Sequence, residues 1–145
     1  MRIIVDGDGC AGRHIIEEVA KKYSIEVIIF CTVSHMIRSD YSQVKIVDEG
    51  FQSVDMYVAN STKKGDIVVS QDYGVAAMAL GKGALAISPR GIIYSNENID
   101  ILLFERHLKQ KNRRAGGKSR GNHKRTKEDD ERLYKNLEKL INVGR

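Results

Sequence analysis

The chain has 145 residues, of which 41% are hydrophobic and 30% are charged. This size and composition are typical of one folded domain and exclude the disordered and fibrous classes of protein. No apolar run reaches the roughly 18 residues that would span a bilayer, and the first residues do not resemble a signal peptide. The two cysteines, Cys10 and Cys31, make neither a disulfide framework nor a zinc site. We therefore expect a cytoplasmic protein with no membrane partner.

The net charge of +5 comes from one segment of the chain. Residues 106–127 carry ten Lys and Arg and no acid, whereas residues 1–105 carry ten Lys and Arg against 14 Asp and Glu. A segment of this kind attracts polyanions through phosphate contacts and counterion release. We expect a nucleic acid as the partner, RNA before DNA, and the alternative is a flexible loop that only aids solubility. The sequence does not specify an oligomeric state.

Short apolar runs alternate along the chain with amphipathic stretches of helical period. Strands are expected at 2–6, 25–31, 44–47, 67–69, 84–87 and 92–94, and helices at 13–23, 53–63, 73–80, from 95 or 96 through 108, and at 127–141. This alternation predicts an α/β fold, in which helices cover both faces of a mostly parallel sheet in a three-layer αβα sandwich.

The chain divides into three parts on the same evidence. An α/β domain is expected at 1–111, a basic glycine-containing loop at 112–125, and a C-terminal helix at 126–145 that packs on the domain or extends from it. Thr126 and Asp129 have the spacing of a capping box at the start of that helix, with Asp in place of the usual Glu.

Acidic side chains follow two of the predicted strands. Asp6 and Asp8 follow the first strand and Asp72 follows the fourth, while Asp55 lies near the start of the second helix. If the two strands are neighbours, the carboxylates converge at one edge of the sheet, and converging carboxylates need a cation to offset their repulsion. Mg²⁺ or Mn²⁺ suits such oxygen ligands. The pattern predicts a metal site at these four residues, with Asp6, Asp8 and Asp72 catalytic.

Each acid also has a simpler interpretation. Asp is among the best residues for capping a helix N-terminus, which is the alternative for Asp6 and Asp72. Asp8 would then be a solvated turn residue, and Asp55 an exposed acid in a first helical turn. Cys10 is expected to be a small packed residue.

Basic side chains outside this cluster are expected to bind phosphate. Arg90 follows Pro89 at another strand exit, where a rigid backbone would hold the guanidinium; a surface ion pair is the alternative. The remaining candidates lie at the basic end of the chain: Arg113, Arg114, Lys118, Arg120, Lys124 and Arg125.

At this point the sequence resembles the YaiI/YqxD family of bacterial proteins of unknown function, which is related to PIN-like nuclease domains. The resemblance rests on five segments: Asp6-x-Asp8-x-Cys10, Gly50 to Asp55, Gly65 to Asp72, Pro89-Arg90-Gly91, and Arg125 to Asp130. It implies a PIN-like (Rossmann-like) fold and a nuclease-type site at the acids, without an assigned reaction. The sequence departs from the family pattern at two places. Ala11-Gly12 follows the Cys, where Pro is usual. A polar or acidic residue is often found between Gly50 and Asp55, and here it is Gln52, which would remove one possible metal ligand.

Three functions fit these features. The first is a divalent-metal-dependent nuclease that hydrolyses phosphodiesters in RNA or DNA. The second is a non-catalytic RNA-binding or ribosome-associated module whose affinity comes from the basic segment. The third is a phosphatase with Asp6 as the nucleophile and Asp8 as the acid/base, for which Ser70 would fit a later motif.

Overall fold

The computed structural model describes residues 1–8, 10–48, 50, 52–114 and 124–144, with residues 113 and 114 described by their backbone alone. Six strands form one sheet: β1 (Arg2–Asp6), β2 (Glu26–Thr32), β3 (Gln43–Val47), β4 (Ile67–Val69), β5 (Leu85–Ile87) and β6 (Ile93–Tyr94). Their order across the sheet is β3-β2-β1-β4-β5-β6. All pairs are parallel except β5 with β6.

Five helices complete the fold: α1 (Arg13–Tyr23), α2 (Val54–Ser61), α3 (Tyr73–Gly81), α4 (Asn96–Arg114) and α5 (Lys127–Gly144). One face of the sheet packs with apolar residues of α1 and α5, and the other with residues of α2, α3 and the start of α4. The central strands β1, β2 and β4 are therefore covered on both faces, which explains their continuous apolar sequence. The predicted three-layer α/β sandwich with a mostly parallel sheet is confirmed.

The structure differs from the predicted elements mainly near the C-terminus. Helix α4 continues to Arg114, so residues 112–114 are helical although a loop was expected from 112. Residues 115–123 of the expected loop lie outside the described residues. A short 3-10 helix at Val33–His35 occupies part of the predicted connection between β2 and β3.

Helix α5 begins with the predicted capping box. The Thr126 backbone N–H donates to Asp129 Oδ2 at 3.0 Å, and the Asp129 N–H donates to Thr126 Oγ1 at 3.3 Å. Gly91 has φ +89°, and a Cβ at this position would lie 2.4 Å from the backbone nitrogen of Leu133. Only glycine allows this close approach, which brings α5 against the end of the sheet.

Candidate functional site

The candidate site lies where the order of the strands reverses. From β1 the chain proceeds outward through β2 and β3, then crosses back to β4 on the other side of β1. In open α/β sheets a crevice forms at such a switch point, beyond the carboxyl ends of the strands. Asp6 ends β1 and Ser70 follows β4, so both lie at this crevice. The two strands that precede the acids, β1 and β4, are therefore adjacent in the sheet, as predicted.

Asp6 is the central side chain of the site. Its Oδ1 accepts a hydrogen bond from the Asp8 backbone N–H at 3.2 Å, and its Oδ2 accepts one from Ser70 Oγ at 3.3 Å. Burial, together with the charges of Asp8 and Asp55, raises the pKa of Asp6 to about 6, although the two hydrogen bonds act in the opposite direction. The charged form of Asp6 is therefore held at an energetic cost in this crevice.

Asp8 connects the β1 end with the β2 end. Its Oδ1 accepts a hydrogen bond from the Thr32 N–H at 3.3 Å and lies 3.5 Å from His35 Nδ1. Its side chain is about a quarter exposed. Asp8 is thus a partly exposed turn residue whose side chain also contacts the end of β2.

Asp55 and Asp72 differ in their contacts. Asp55 is a half-buried residue in the first turn of α2, and its charge acts on Asp6. Asp72 caps α3: its Oδ1 accepts from the backbone N–H groups of Gly74 at 2.8 Å and Val75 at 3.2 Å. Asp72 is connected to Asp6 through Ser70, whose Oγ also accepts from the Asp72 N–H at 3.0 Å. The capping alternative therefore holds for Asp72, while Asp6, Asp8 and Asp55 form the electrostatic cluster.

These acids could bind Mg²⁺ only as a partial set of ligands. Within the described part of the chain, no group of three or more His, Cys, Asp or Glu side chains is placed to hold a metal ion. A preformed cage is therefore absent among those residues. Mg²⁺, however, is usually bound by one or two carboxylates together with waters and substrate phosphates. Asp6 and Asp8 would supply such a partial set, and a cation there would stabilise the charged form of Asp6, which burial and the charges of Asp8 and Asp55 disfavour.

Sequence reasoning missed two arginines near the acids, Arg13 and Arg38. A shallow groove beside Gly7 is lined by Cys10, Arg13, His14, His35 and Arg38. Arg13 donates from its guanidinium to the Arg38 carbonyl oxygen at 3.1 Å and so connects α1 with the segment after β2. These residues are far apart in sequence, and no single segment of the chain indicates that they meet.

The side chains of Ser70 and Tyr94 are further parts of the site that the pattern of acids does not reveal. Ser70 is buried and joins Asp6 with Asp72 as described above. The hydroxyl of the buried Tyr94 donates to the Ser70 carbonyl oxygen at 3.1 Å, and burial raises its pKa. Tyr94 therefore supports the residue that orients Asp6, and it keeps its proton at neutral pH.

Arg125 has a place inside the fold. Its Nε lies 2.6 Å from Asp130 Oδ1 and one guanidinium nitrogen donates to the Pro89 carbonyl oxygen at 2.6 Å. The other terminal nitrogen is buried without a hydrogen-bond partner. These contacts attach the start of α5 to the β5–β6 connection, so they are structural, and a phosphate contact of Arg125 stays a prediction.

The other predicted phosphate ligands are only partly described. Arg90 is half-buried. The pKa of Asp129 at the start of α5 is lowered mainly by the hydrogen bond from the Thr126 backbone, and the charge of Arg90 contributes to a smaller extent. Lys124 is exposed. Arg113 and Arg114 end α4, whereas Lys118 and Arg120 lie outside the described residues.

Cys10 is a packed residue, as expected. It lies against the core formed with α1 and α5, and burial raises the pKa of its thiol to about 11. A thiol with so high a pKa is a poor nucleophile at neutral pH.

Comparison with known proteins identifies the family. Residues 4–143 match the model of the family described as "Uncharacterized BCR, YaiI/YqxD family". The chain belongs to this family. A UPF0178 protein of Clostridium perfringens is 77% identical over 141 residues, which cover 97% of this chain and 95% of that protein. A UPF0178 protein of Clostridium tetani is 58% identical, with 97% of each chain covered, and one of Ruminiclostridium cellulolyticum is 53% identical, with 94% and 90% covered.

Among solved structures, this YaiI/YqxD family member is similar to the crystal structure of Rae1 (YacP) from Bacillus subtilis. The TM-score is 0.47 at 14% sequence identity, with 80% of this chain and 84% of that chain covered. At this level of similarity the PIN-like relationship stays a prediction. Across the described residues, no helix has the length and apolar character required to cross a membrane.

Proposed function

We propose that this protein is a phosphodiesterase that cleaves RNA or DNA, RNA before DNA, with Mg²⁺ or Mn²⁺ as cofactor. The observation that carries the proposal is Asp6, a carboxylate at the switch point of the sheet that is partly buried beside two other acids. A structural role would favour a neutral side chain there. Perturbed acids in a crevice are typical of sites that bind cations or transfer protons.

Each acidic or polar side chain of this site would have a separate role. Asp6 and Asp8 would hold the cation, and Ser70 orients the Asp6 carboxylate through its hydrogen bond. A bound divalent cation supplies an activated water and neutralises charge on the reacting phosphate. Asp55 adds negative charge that favours cation binding.

The neighbouring groove supplies the phosphate contacts. Arg38 is exposed, and its guanidinium has no hydrogen-bond or ion-pair partner among the described residues. It lines the same groove as Arg13 and Gly7. Guanidinium groups bind phosphate through two parallel hydrogen bonds. A nucleic-acid strand would therefore cross from this groove over the acids, while the basic segment at 106–127 adds affinity that is independent of base sequence. We propose that the protein acts on nucleic acid in the cytoplasm.

The test is cleavage of end-labelled single-stranded RNA with Mn²⁺. The wild-type protein should cleave, and Asp6→Asn should reduce the rate by about 100-fold or more, because it removes the charge that holds the cation. Glu26→Gln makes the same chemical change at an exposed acid on the opposite end of the sheet and should leave the rate unchanged. Equal rates for Asp6→Asn and the wild type would refute the proposal.

A second candidate is a non-catalytic RNA-binding module. It is favoured by the capping role of Asp72, whose Oδ1 accepts two backbone hydrogen bonds at the start of α3. RNA binding without cleavage, unchanged in Asp6→Asn and lost in Arg38→Glu, would support this candidate over the nuclease. A phosphate mimic trapped covalently on Asp6 would instead indicate the phosphatase.

A further inference from the structure

The second half of α4 extends beyond the domain. The helix packs through Ile99, which is buried, and Leu102, whereas residues 103–112 are all exposed. A helix of about ten residues whose side chains are all exposed is marginal in water, because nucleation is costly and propensity alone contributes little. This half of α4 therefore gains stability only if something covers it.

The uncovered half carries an apolar stripe. Ile101 and Phe104 are each 60% exposed and Leu108 is 43% exposed, and their spacing of three and four residues places them on one face. At 3.6 residues per turn, Leu108 lies about 180° around the helix axis from Ile99. The stripe thus points away from the domain, so α4 cannot bury it against its own sheet.

The charges of α4 are separated along its length. Its acids, Glu97, Asp100 and Glu105, are all in the first ten residues, and its bases, Arg106, Lys109, Lys111, Arg113 and Arg114, are all in the last nine. Such a helix is complementary to a second copy of itself that runs in the opposite direction. Residues 115–123 contain no large apolar side chain, so that segment does not supply a cover.

We propose that α4 pairs with α4 of a second copy of this chain, antiparallel and about a two-fold axis between Phe104 and Glu105. Ile101 of one copy then lies opposite Leu108 of the other, and Asp100 lies opposite Lys109. Each contact occurs twice, as in any isologous interface. A parallel pair would place acid against acid and base against base, which is destabilising. The proposal does not depend on the nuclease activity, and Asp6→Asn should self-associate as the wild type does.

Sedimentation equilibrium of the full chain tests the surface. The wild type should show a monomer–dimer equilibrium, and Leu108→Asp should raise the dimer dissociation constant about tenfold or more. The matched control is Ile92→Asp, because Ile92 has nearly the same exposure, 45%, but precedes β6. It should leave the dissociation constant unchanged. Higher ionic strength should weaken the wild-type dimer, because the charge pairs are exposed.

The direction of the pair is tested by exchanging charges. Asp100→Lys and Lys109→Glu should each weaken self-association, since each places like charges opposite one another. The double variant should restore it, because an antiparallel pair again joins opposite charges; a parallel pair would not recover. Failure of the double variant to recover overturns the antiparallel arrangement.

A wild-type chain that stays monomeric at the highest concentration at which it remains dissolved overturns the proposal. Vesicles of phosphatidylserine and a single-stranded RNA are the probes for other occupants. If the wild-type chain is monomeric and binds one of these probes, and if Leu108→Asp abolishes that binding, the stripe is assigned to that partner. This result would also overturn self-pairing.

Discussion

Each end of the β1–β4 pair carries a buried or partly buried aspartate. The two aspartates differ in how far hydrogen bonds and ion pairs compensate their charge. Asp66 precedes β4 and is only 4% exposed. The Arg2 guanidinium lies 2.7 Å from its Oδ2, the Arg2 backbone N–H donates to its Oδ1 at 3.2 Å, and the Lys63 N–H donates to its Oδ2 at 2.9 Å. A buried carboxylate with this many donors is well compensated.

Asp6, at the other end of the same strand pair, has two long hydrogen bonds and acidic neighbours. Burial and the charges of Asp8 and Asp55 raise its pKa, and no cationic side chain among the described residues forms an ion pair with it. The contrast shows that this fold can compensate a buried aspartate and does so where stability alone matters. An uncompensated one at the switch point indicates selection for something other than stability.

The largest expected effect concerns Asp66. We expect Asp66→Asn to lower the free energy of unfolding by about 2 kcal/mol, because the substitution removes the charge that pairs with the partly buried Arg2. For a chain of this size the melting temperature should fall by about 4–8 °C. Urea denaturation and thermal melting measure the effect. If Asp66→Asn is as stable as the wild type, the two ends of the sheet do not differ as argued above.

A smaller effect is expected from the metal. Mn²⁺ at ten times its dissociation constant should stabilise the wild type by about 1.4 kcal/mol, because the ion binds the folded state and not the unfolded chain. Asp6→Asn should lose this stabilisation, whereas Asp66→Asn should retain it. Melting temperatures with and without Mn²⁺ measure the difference. Equal shifts in the two variants would mean that the ion binds elsewhere.

The smallest effect is a gain in stability from Asp6→Asn, with a characteristic pH dependence. Because the pKa of Asp6 is raised to about 6 in the folded state from about 3.9 in the unfolded chain, the folded state binds the proton more tightly between these values. The wild-type free energy of unfolding therefore falls as the pH rises from about 4 to about 6, and the loss is complete above that window.

Asn does not titrate, so the advantage of Asp6→Asn should be present at pH 8 and absent below about pH 4. Two pKa units correspond to at most about 3 kcal/mol, and the partial exposure of the carboxylate reduces this to about 1 kcal/mol. Urea denaturation at the two pH values measures it. A variant that is less stable than the wild type at pH 8 would contradict the interpretation of Asp6 as an uncompensated acid.

The sequence by itself determined the local features of this protein. Strand and helix periodicities located the six strands and five helices of the described residues to within a few residues, except that α4 continues six residues beyond its predicted end, since each depends on neighbours along the chain. The capping box at Thr126 and Asp129 was predictable for the same reason, because its hydrogen bonds span three residues. The acids at the strand ends were visible as a pattern, and the family membership followed from motifs spread along the chain.

The tertiary structure alone decided how those features combine. That β1 lies beside β4 depends on burial of the whole sheet, and only this pairing brings Ser70 to Asp6. An aspartate after a strand is equally suited to capping a helix and to holding a cation, so the sequence could not tell that Asp72 caps α3 while Asp6 does not. Arg13 and Arg38 meet at the groove because α1 and the segment after β2 pack together, a contact between residues that no local pattern connects.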